Sequence, residues 1–159
     1  MRNKFWCNVS IVLMMLVCMT VHAQAPCVNN KGDDFNVISW TYEAMYVTYN
    51  INFTTKKDEY AKDALQYYAP NAWSKQYQLL EQQRVFASIQ SKKGILLMGL
   101  PVQPVITDKA HNEWKVLVKF DTKILTSSST DTLQPLKGVM LTVKKAGDCF
   151  VIDDFSDVQ

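Results

Sequence analysis

The sequence predicts an α+β domain in which helices pack on one side of a curved antiparallel sheet. Apolar residues recur at helical intervals from Asp34 to about Ile89, and beyond Lys92-Lys93-Gly94 the period falls to two and β-branched residues take over. In the later segments apolar side chains alternate with lysines and aspartates, so the sheet has one dry face and one wet face. A chain of 159 residues, 48% hydrophobic and 20% charged without charged blocks, suits one such domain.

The first segment is a leader. Arg2 and Lys4 precede an apolar run from about Ile11 to Val21, and the small-residue stretch Ala23-Gln24-Ala25 follows, which is the order of a secretory signal peptide. Cleavage after Ala23 is favoured over cleavage after Ala25, which would leave Pro26 directly behind the cut. The expected division is therefore a signal peptide over 1–23, an arm over 24–33 and a domain over 34–159. The alternative is an uncleaved inner-membrane anchor through residues 5–21, whose length of about 17 residues is at the bottom of the spanning range. Cys18 follows Val17 and Cys27 follows Pro26, so neither has the small preceding residue that lipidation requires. The cleaved chain is expected in the periplasm or outside the cell.

The formal charge of +2 is matched by Arg2 and Lys4, so the domain itself is neutral, which argues against electrostatic binding of nucleic acid. Once Cys7 and Cys18 leave with the signal, Cys27 and Cys149 remain, in a compartment where a disulfide persists. A bridge between them would close a loop of about 120 residues, worth at most roughly 4 to 5 kcal/mol. The alternative is two unpaired thiols.

Within the domain, Val37, Trp40, Ala44, Val47 and Ile51 mark one face of a helix from Asp34 to about Asn52, with Asp33 or Asp34 as its N-cap. Ile38, Tyr42, Met45 and Tyr49 form a flanking stripe, so burial on more than one side is expected. Thr55 with Asp58 suggests a capping box opening a second helix, with Ala61, Ala64, Leu65 and Tyr68 on its apolar face. Pro70 stops that helix and fits the first position of a third, which makes Ala69 the N-cap. Tyr68 and Trp73 then have the spacing of a hydrophobic staple. Arg84 interrupts the third helix, and a bend or a short extra helix follows through Val85, Phe86 and Ile89.

Four strands are expected over Ile95–Thr107, Glu113–Thr126, Leu136–Lys145 and Cys149–Phe155. Trp114, Val116, Val118, Phe120, Val139, Leu141 and Val143 face inward. Gly147-Asp148 joins the last two strands as a hairpin, and Thr126–Thr132 is a long exposed turn. Pro101 and Pro104 confine the first strand to an edge or require a bulge. Three N-terminal helices on a curved four-stranded antiparallel sheet make the nuclear transport factor 2-like, or cystatin-like, cone.

Four stretches carry a more specific likeness. "VISWTYEAMYVTYNINF", "YYAPNAW", "GLPVQPVI" and "WKVLVKF" occur in that order, and together the chain resembles the IcmL/DotI (IcmL-like) family from about Val37 to Phe155. "YYAPNAW" is similar to the family's aromatic-aromatic-Thr-Pro-x-Gly-Trp segment, with Ala69 where the family has a hydroxyl. The resemblance implies a periplasmic module of type IVB (Dot/Icm-like) secretion or conjugation machinery that works by protein contacts and is not an enzyme. Its partners would be proteins of the secretion apparatus, with self-association included, and no cofactor is implied. Anchored members carry a cytoplasmic segment and a transmembrane helix before this domain, whereas here a short leader stands in that place.

The chemistry-bearing residues are few. His111 is the only histidine of the domain and stands in a turn, so no Ser/His/Asp or Cys/His arrangement can be built, and no catalytic or metal residue is assigned. Asp148, Asp153, Asp154 and Asp157 fit no calcium loop. The alternative function, a soluble cone that binds a small apolar ligand or transfers a proton, needs an acid inside the cone. Asp154 is the best placed for it, since it shares strand parity with Phe150 and Ile152. Tyr67, Tyr60 and Tyr46 are the candidate interface residues, Tyr67 because it is out of phase with the stapling Tyr68.

Overall fold

The computed structural model of the protein describes residues 32–99 and 102–158. The expected leader, most of the arm, Cys27 and Pro101 lie outside the described residues. Four helices, α1 (Asp34–Thr48), α2 (Lys57–Leu65), α3 (Pro70–Gln82) and α4 (Val85–Lys92), pack on one face of a curled antiparallel sheet. Its strands are β1 (Ile51–Asn52), β2 (Ile95–Met98), β3 (Val102–Ala110), β4 (Glu113–Leu125), β5 (Thr130–Ala146) and β6 (Cys149–Val158), in the order β1-β2-β4-β5-β6, with β3 also paired to β4. The long β4 is the centre: its first half pairs with β3 and its last residues with β2. Among the described residues, no helix is long and apolar enough to cross a membrane.

Asp33 caps α1 as its sequence position predicts, its carboxylate accepting from the Asn36 N–H at 2.9 Å. The helix ends at Thr48, earlier than the stripe suggests, because Ile51 and Asn52 turn into β1 and pair with Leu96 and Ile95. The Thr55 capping box does not form. Lys56 holds the cap position of α2 with no side-chain bond, while Asn52 Oδ1 accepts from both the N–H and the hydroxyl of Thr54 and uses the loop's polar groups locally.

Pro70 opens α3 from Ala69, which is extended (φ −64°, ψ 149°) and contributes no side-chain cap. The Tyr68 and Trp73 rings meet at 5.6 Å, so the staple is present. The same segment also covers a sheet edge: Ile152 N–H donates to the Tyr67 carbonyl and the Ala69 N–H donates to the Ile152 carbonyl, each at 2.8 Å. The otherwise open edge of β6 is thereby covered at Ile152, just before the strand's bulge. The expected interruption at Arg84 is a left-handed residue (φ 53°) that separates α3 from α4.

In the sheet, one expected strand over 95–107 is two, β2 and β3, and with β1 the sheet has six strands where four were expected. β3 is irregular between Val102 and Val105, where Pro104 stands. The expected turn over 126–132 is shorter, because β5 begins at Thr130. Gly147 takes φ +64° at the first position of the two-residue turn between Ala146 and Cys149, a conformation that glycine reaches without strain. The inward positions alternate along β4 as expected: Trp114, Val116, Val118, Phe120 and Ile124 are all buried.

Candidate functional site

The concave interior is filled by side chains from both layers. Phe120 and Trp114 are buried at its floor, and Tyr49 of the α1 end lies over Phe120 with ring centres 4.8 Å apart. Trp40 closes the other end against Phe150 and Tyr67, each at 5.7 Å. Thr41 Oγ1 and Thr122 Oγ1 are buried there without a hydrogen-bond partner, while the polar atoms around Thr48 and Tyr49 find partners in one another. Gln76 Nε2 donates to the Tyr49 hydroxyl at 3.0 Å, the Tyr68 hydroxyl bonds Thr48 Oγ1 at 2.8 Å, and the Tyr60 hydroxyl donates to the Thr48 carbonyl at 2.9 Å. Burial raises the pKa of all three tyrosines, that of Tyr49 to about 12, because it penalises the phenolate. This is a satisfied polar network that holds a core in one arrangement.

The structure corrects the placement of the candidate acid. A bulge in β6, between the pairs Val143–Ile152 and Thr142–Asp154, inserts Asp153 and reverses the strand's parity beyond it. Phe155 therefore points into the core, and Asp154 points out, where it bonds Lys75 Nζ at 3.0 Å. That bond is the first cause of its lowered pKa, the reverse of what a proton-transferring cone acid needs. His111 is exposed in the β3–β4 turn, and among the described residues no group of three or more His, Cys, Asp or Glu could hold a metal ion. Cys149 begins β6 and is half-buried.

The tyrosines divide differently from the expectation. Tyr60 and Tyr67 are only 4% and 6% exposed, so neither is a surface contact. Tyr60 packs on Phe86 and Trp73, and Tyr67 turns inward onto Trp40 and donates its hydroxyl to Glu43 Oε1 at 2.9 Å. Tyr67's pKa rises to about 12, through burial first and then through the Glu43 bond. Tyr46 is exposed, and it is not alone.

Phe35, Ile38, Tyr42 and Tyr46 recur at three and four residues along α1, opposite the buried Val37, Thr41, Ala44, Met45 and Thr48. Phe35 is 77% exposed, and the stripe borders the β3 edge, where Val105 is 53% exposed. Phe35, Ile38, Ser39 and Tyr42 line an open groove of about 460 Å³ with Gln103 and Pro104. Exposed apolar side chains gathered on one helix face beside an open groove are the kind of surface on which binding sites are found. The sequence did hold a signal for it. The apolar arc of α1 is wider than one core contact needs, and the surplus, read as burial on a second side, is in Tyr42 an exposed surface.

Comparison with known proteins agrees with this architecture. No family model and no curated protein sequence matches the chain. Among solved structures, an IcmL-like type IV secretion system protein from Legionella pneumophila superposes with a TM-score of 0.71 at 13% identity, over 81% of this chain and 94% of that one. The periplasmic domain of DotI gives 0.69 at 17% identity, over 81% and 97%. A periplasmic fragment of TraM gives 0.64 at 10% identity, over 80% and 98%. The described helices and strands, with the helices on one face of a curled antiparallel sheet, have the fold of the IcmL-like protein and of the DotI periplasmic domain.

Proposed function

We propose that the chain is an exported, non-enzymatic interaction module that serves a type IVB secretion apparatus as a component or accessory, in the periplasm. The observation that carries this reading is the position of its aromatic residues: the interior is occupied by its own side chains, while Phe35, Ile38, Tyr42 and Tyr46 present a continuous stripe outside. Tyrosine and phenylalanine on a rigid helix supply contact area at low entropic cost, which suits a protein partner. Fold likeness to proteins named as secretion components supports the choice of apparatus. Asp154, the acid best placed by sequence for a proton-transferring cone, is turned out by the bulge and bonds Lys75.

The test is site-specific photo-crosslinking in the native host, with the crosslinker at Tyr42 or Tyr46. The expected result is an adduct with a secretion-system protein, lost in the Phe35→Ser variant. No such adduct, together with normal secretion in a deletion strain, would remove the secretion role and leave the fold untouched.

A further inference from the structure

We propose that the exposed face of α1 receives a basic segment of a partner protein, which sets an apolar side chain into the groove beside β3 and a lysine or arginine against Glu43. The proposal rests on the reading above that this face meets a protein, and it names the chemistry of what the face meets.

The charge on α1 has one sign. From Asp33 to Thr55 the chain holds three acids, Asp33, Asp34 and Glu43, and no lysine, arginine or histidine. Asp34 is neutralised by Lys109, whose Nζ donates to it at 2.7 Å. Glu43 is exposed, and its Oε1 accepts from the Tyr67 hydroxyl at 2.9 Å, a neutral donor that fixes the carboxylate without cancelling its charge. Asp63 of α2, also exposed, is near enough to join Glu43 in raising the Tyr67 pKa. Among the described residues neither acid has an ion pair, and Lys62, beside Asp63 in the chain, bridges to neither. The flank on the β3 side, Gln103 and Pro104, carries no charge. The face is thus apolar with a negative border, and its complement is apolar with positive charge.

The spacing along α1 brings the acid to the rings. Ser39 and Glu43 are four residues apart and Glu43 and Tyr46 three, so the carboxylate adjoins the stripe on the helix surface. Tyr42 and Tyr46 are 40% and 46% exposed. A tyrosine face beside a carboxylate suits arginine in particular, because a planar guanidinium stacks on a ring and donates in a fork to an acid. The open groove along Phe35, Ile38 and Tyr42 has room for apolar side chains of the same segment. The negative border also decides against a bilayer. An exposed aromatic helix face enters an anionic membrane surface when lysine and arginine surround it, and here the sign is reversed.

The test selects a phage library of random dodecapeptides on the purified full chain, then measures binding of a synthetic copy of the most enriched peptide. Enriched peptides should combine an aromatic or branched apolar residue with two or more lysines or arginines. Glu43→Gln still accepts from Tyr67 and should weaken binding about two- to fivefold, the range of one solvent-facing ion pair. Glu43→Lys replaces attraction by repulsion and should weaken it about tenfold or more, as should Phe35→Ser through the groove. Unchanged urea midpoints check that the variants are folded. Enrichment of neutral or acidic peptides, no enrichment, or equal binding by the parent and Glu43→Lys would overturn the proposal. So would capture of phosphatidylethanolamine–phosphatidylglycerol vesicles that is lost in Phe35→Ser, which assigns the face to a membrane, or a Tyr42 crosslink formed only between copies of this chain. Basic peptides selected without a secretion-system adduct in the host would remove the secretion role and leave the partner chemistry standing. A host adduct that survives Glu43→Lys would do the reverse.

Discussion

The Tyr49–Gln76 pair tests whether the interior is a closed, satisfied core. Both residues are buried, at 3% and 2% exposure, and the Gln76 amide donates to the Tyr49 hydroxyl at 3.0 Å. Tyr49→Phe leaves the ring over Phe120 and removes only the acceptor, so a buried N–H is stranded at a cost of about 1 to 3 kcal/mol. Gln76→Met removes the donor and keeps a side chain of similar volume. The double variant, with neither partner, should therefore be within about 1 kcal/mol of the parent, and the coupling between the two changes should exceed about 1 kcal/mol. Urea unfolding of the four proteins measures this: Tyr49→Phe should move the midpoint down by about 1 M, and most of that loss should return in the double variant. Losses that simply add would refute the reasoning, because the hydroxyl and the amide would then be satisfied elsewhere. Solvent reaching them through an open cavity would give that result, and would revive a ligand-binding cone.

Three further outcomes follow from single positions. Ala69 has the extended backbone of an N-cap but no side-chain acceptor, so Ala69→Ser should stabilise the domain by about 1 kcal/mol, seen as a melting temperature about 3 to 5 °C higher. Gly94 is packed so tightly that a Cβ would be 2.6 Å from Cγ2 of the buried, β-branched Ile124 and 3.0 Å from the Leu125 carbonyl oxygen. Gly94→Ala should accordingly cost about 1 to 3 kcal/mol in urea unfolding even though the change is one methyl group. Tyr49, Tyr60 and Tyr68 hold their protons more tightly folded than unfolded, so their contribution is complete below the ordinary tyrosine value of 10.0. It is lost as pH rises from there toward the folded value, about 12 for Tyr49, and unfolding midpoints should drop across that window, less steeply in Tyr49→Phe.

Much of this molecule follows from short-range rules. Pro70 at the first position of α3, the Asp33 cap, the Tyr68–Trp73 staple and the glycine turn before Cys149 each depend on residues within a few positions of one another, and all four are where the sequence puts them. The inward face of β4 is equally legible, because period-two alternation is a property of the strand itself. Apart from the Thr55 capping box, which loses to a local bond between Asn52 and Thr54, the misread features depend on partners far along the chain. Ile51 leaves its helical stripe to pair with Leu96, and Tyr67 turns inward because Trp40 and Glu43 are there to receive it. Asp154 faces solvent because the register of β6 against β5 admits one extra residue. The exposed stripe on α1 belongs to the same class: periodicity shows that a helix face is apolar, and only the packed neighbours decide whether that face is core or surface. The sequence by itself therefore determined the α+β order, the starts of α1 and α3 and the dry side of the sheet. Tertiary structure alone decided which aromatic rings point outward, since that depends on long-range register and packing that local patterns do not encode.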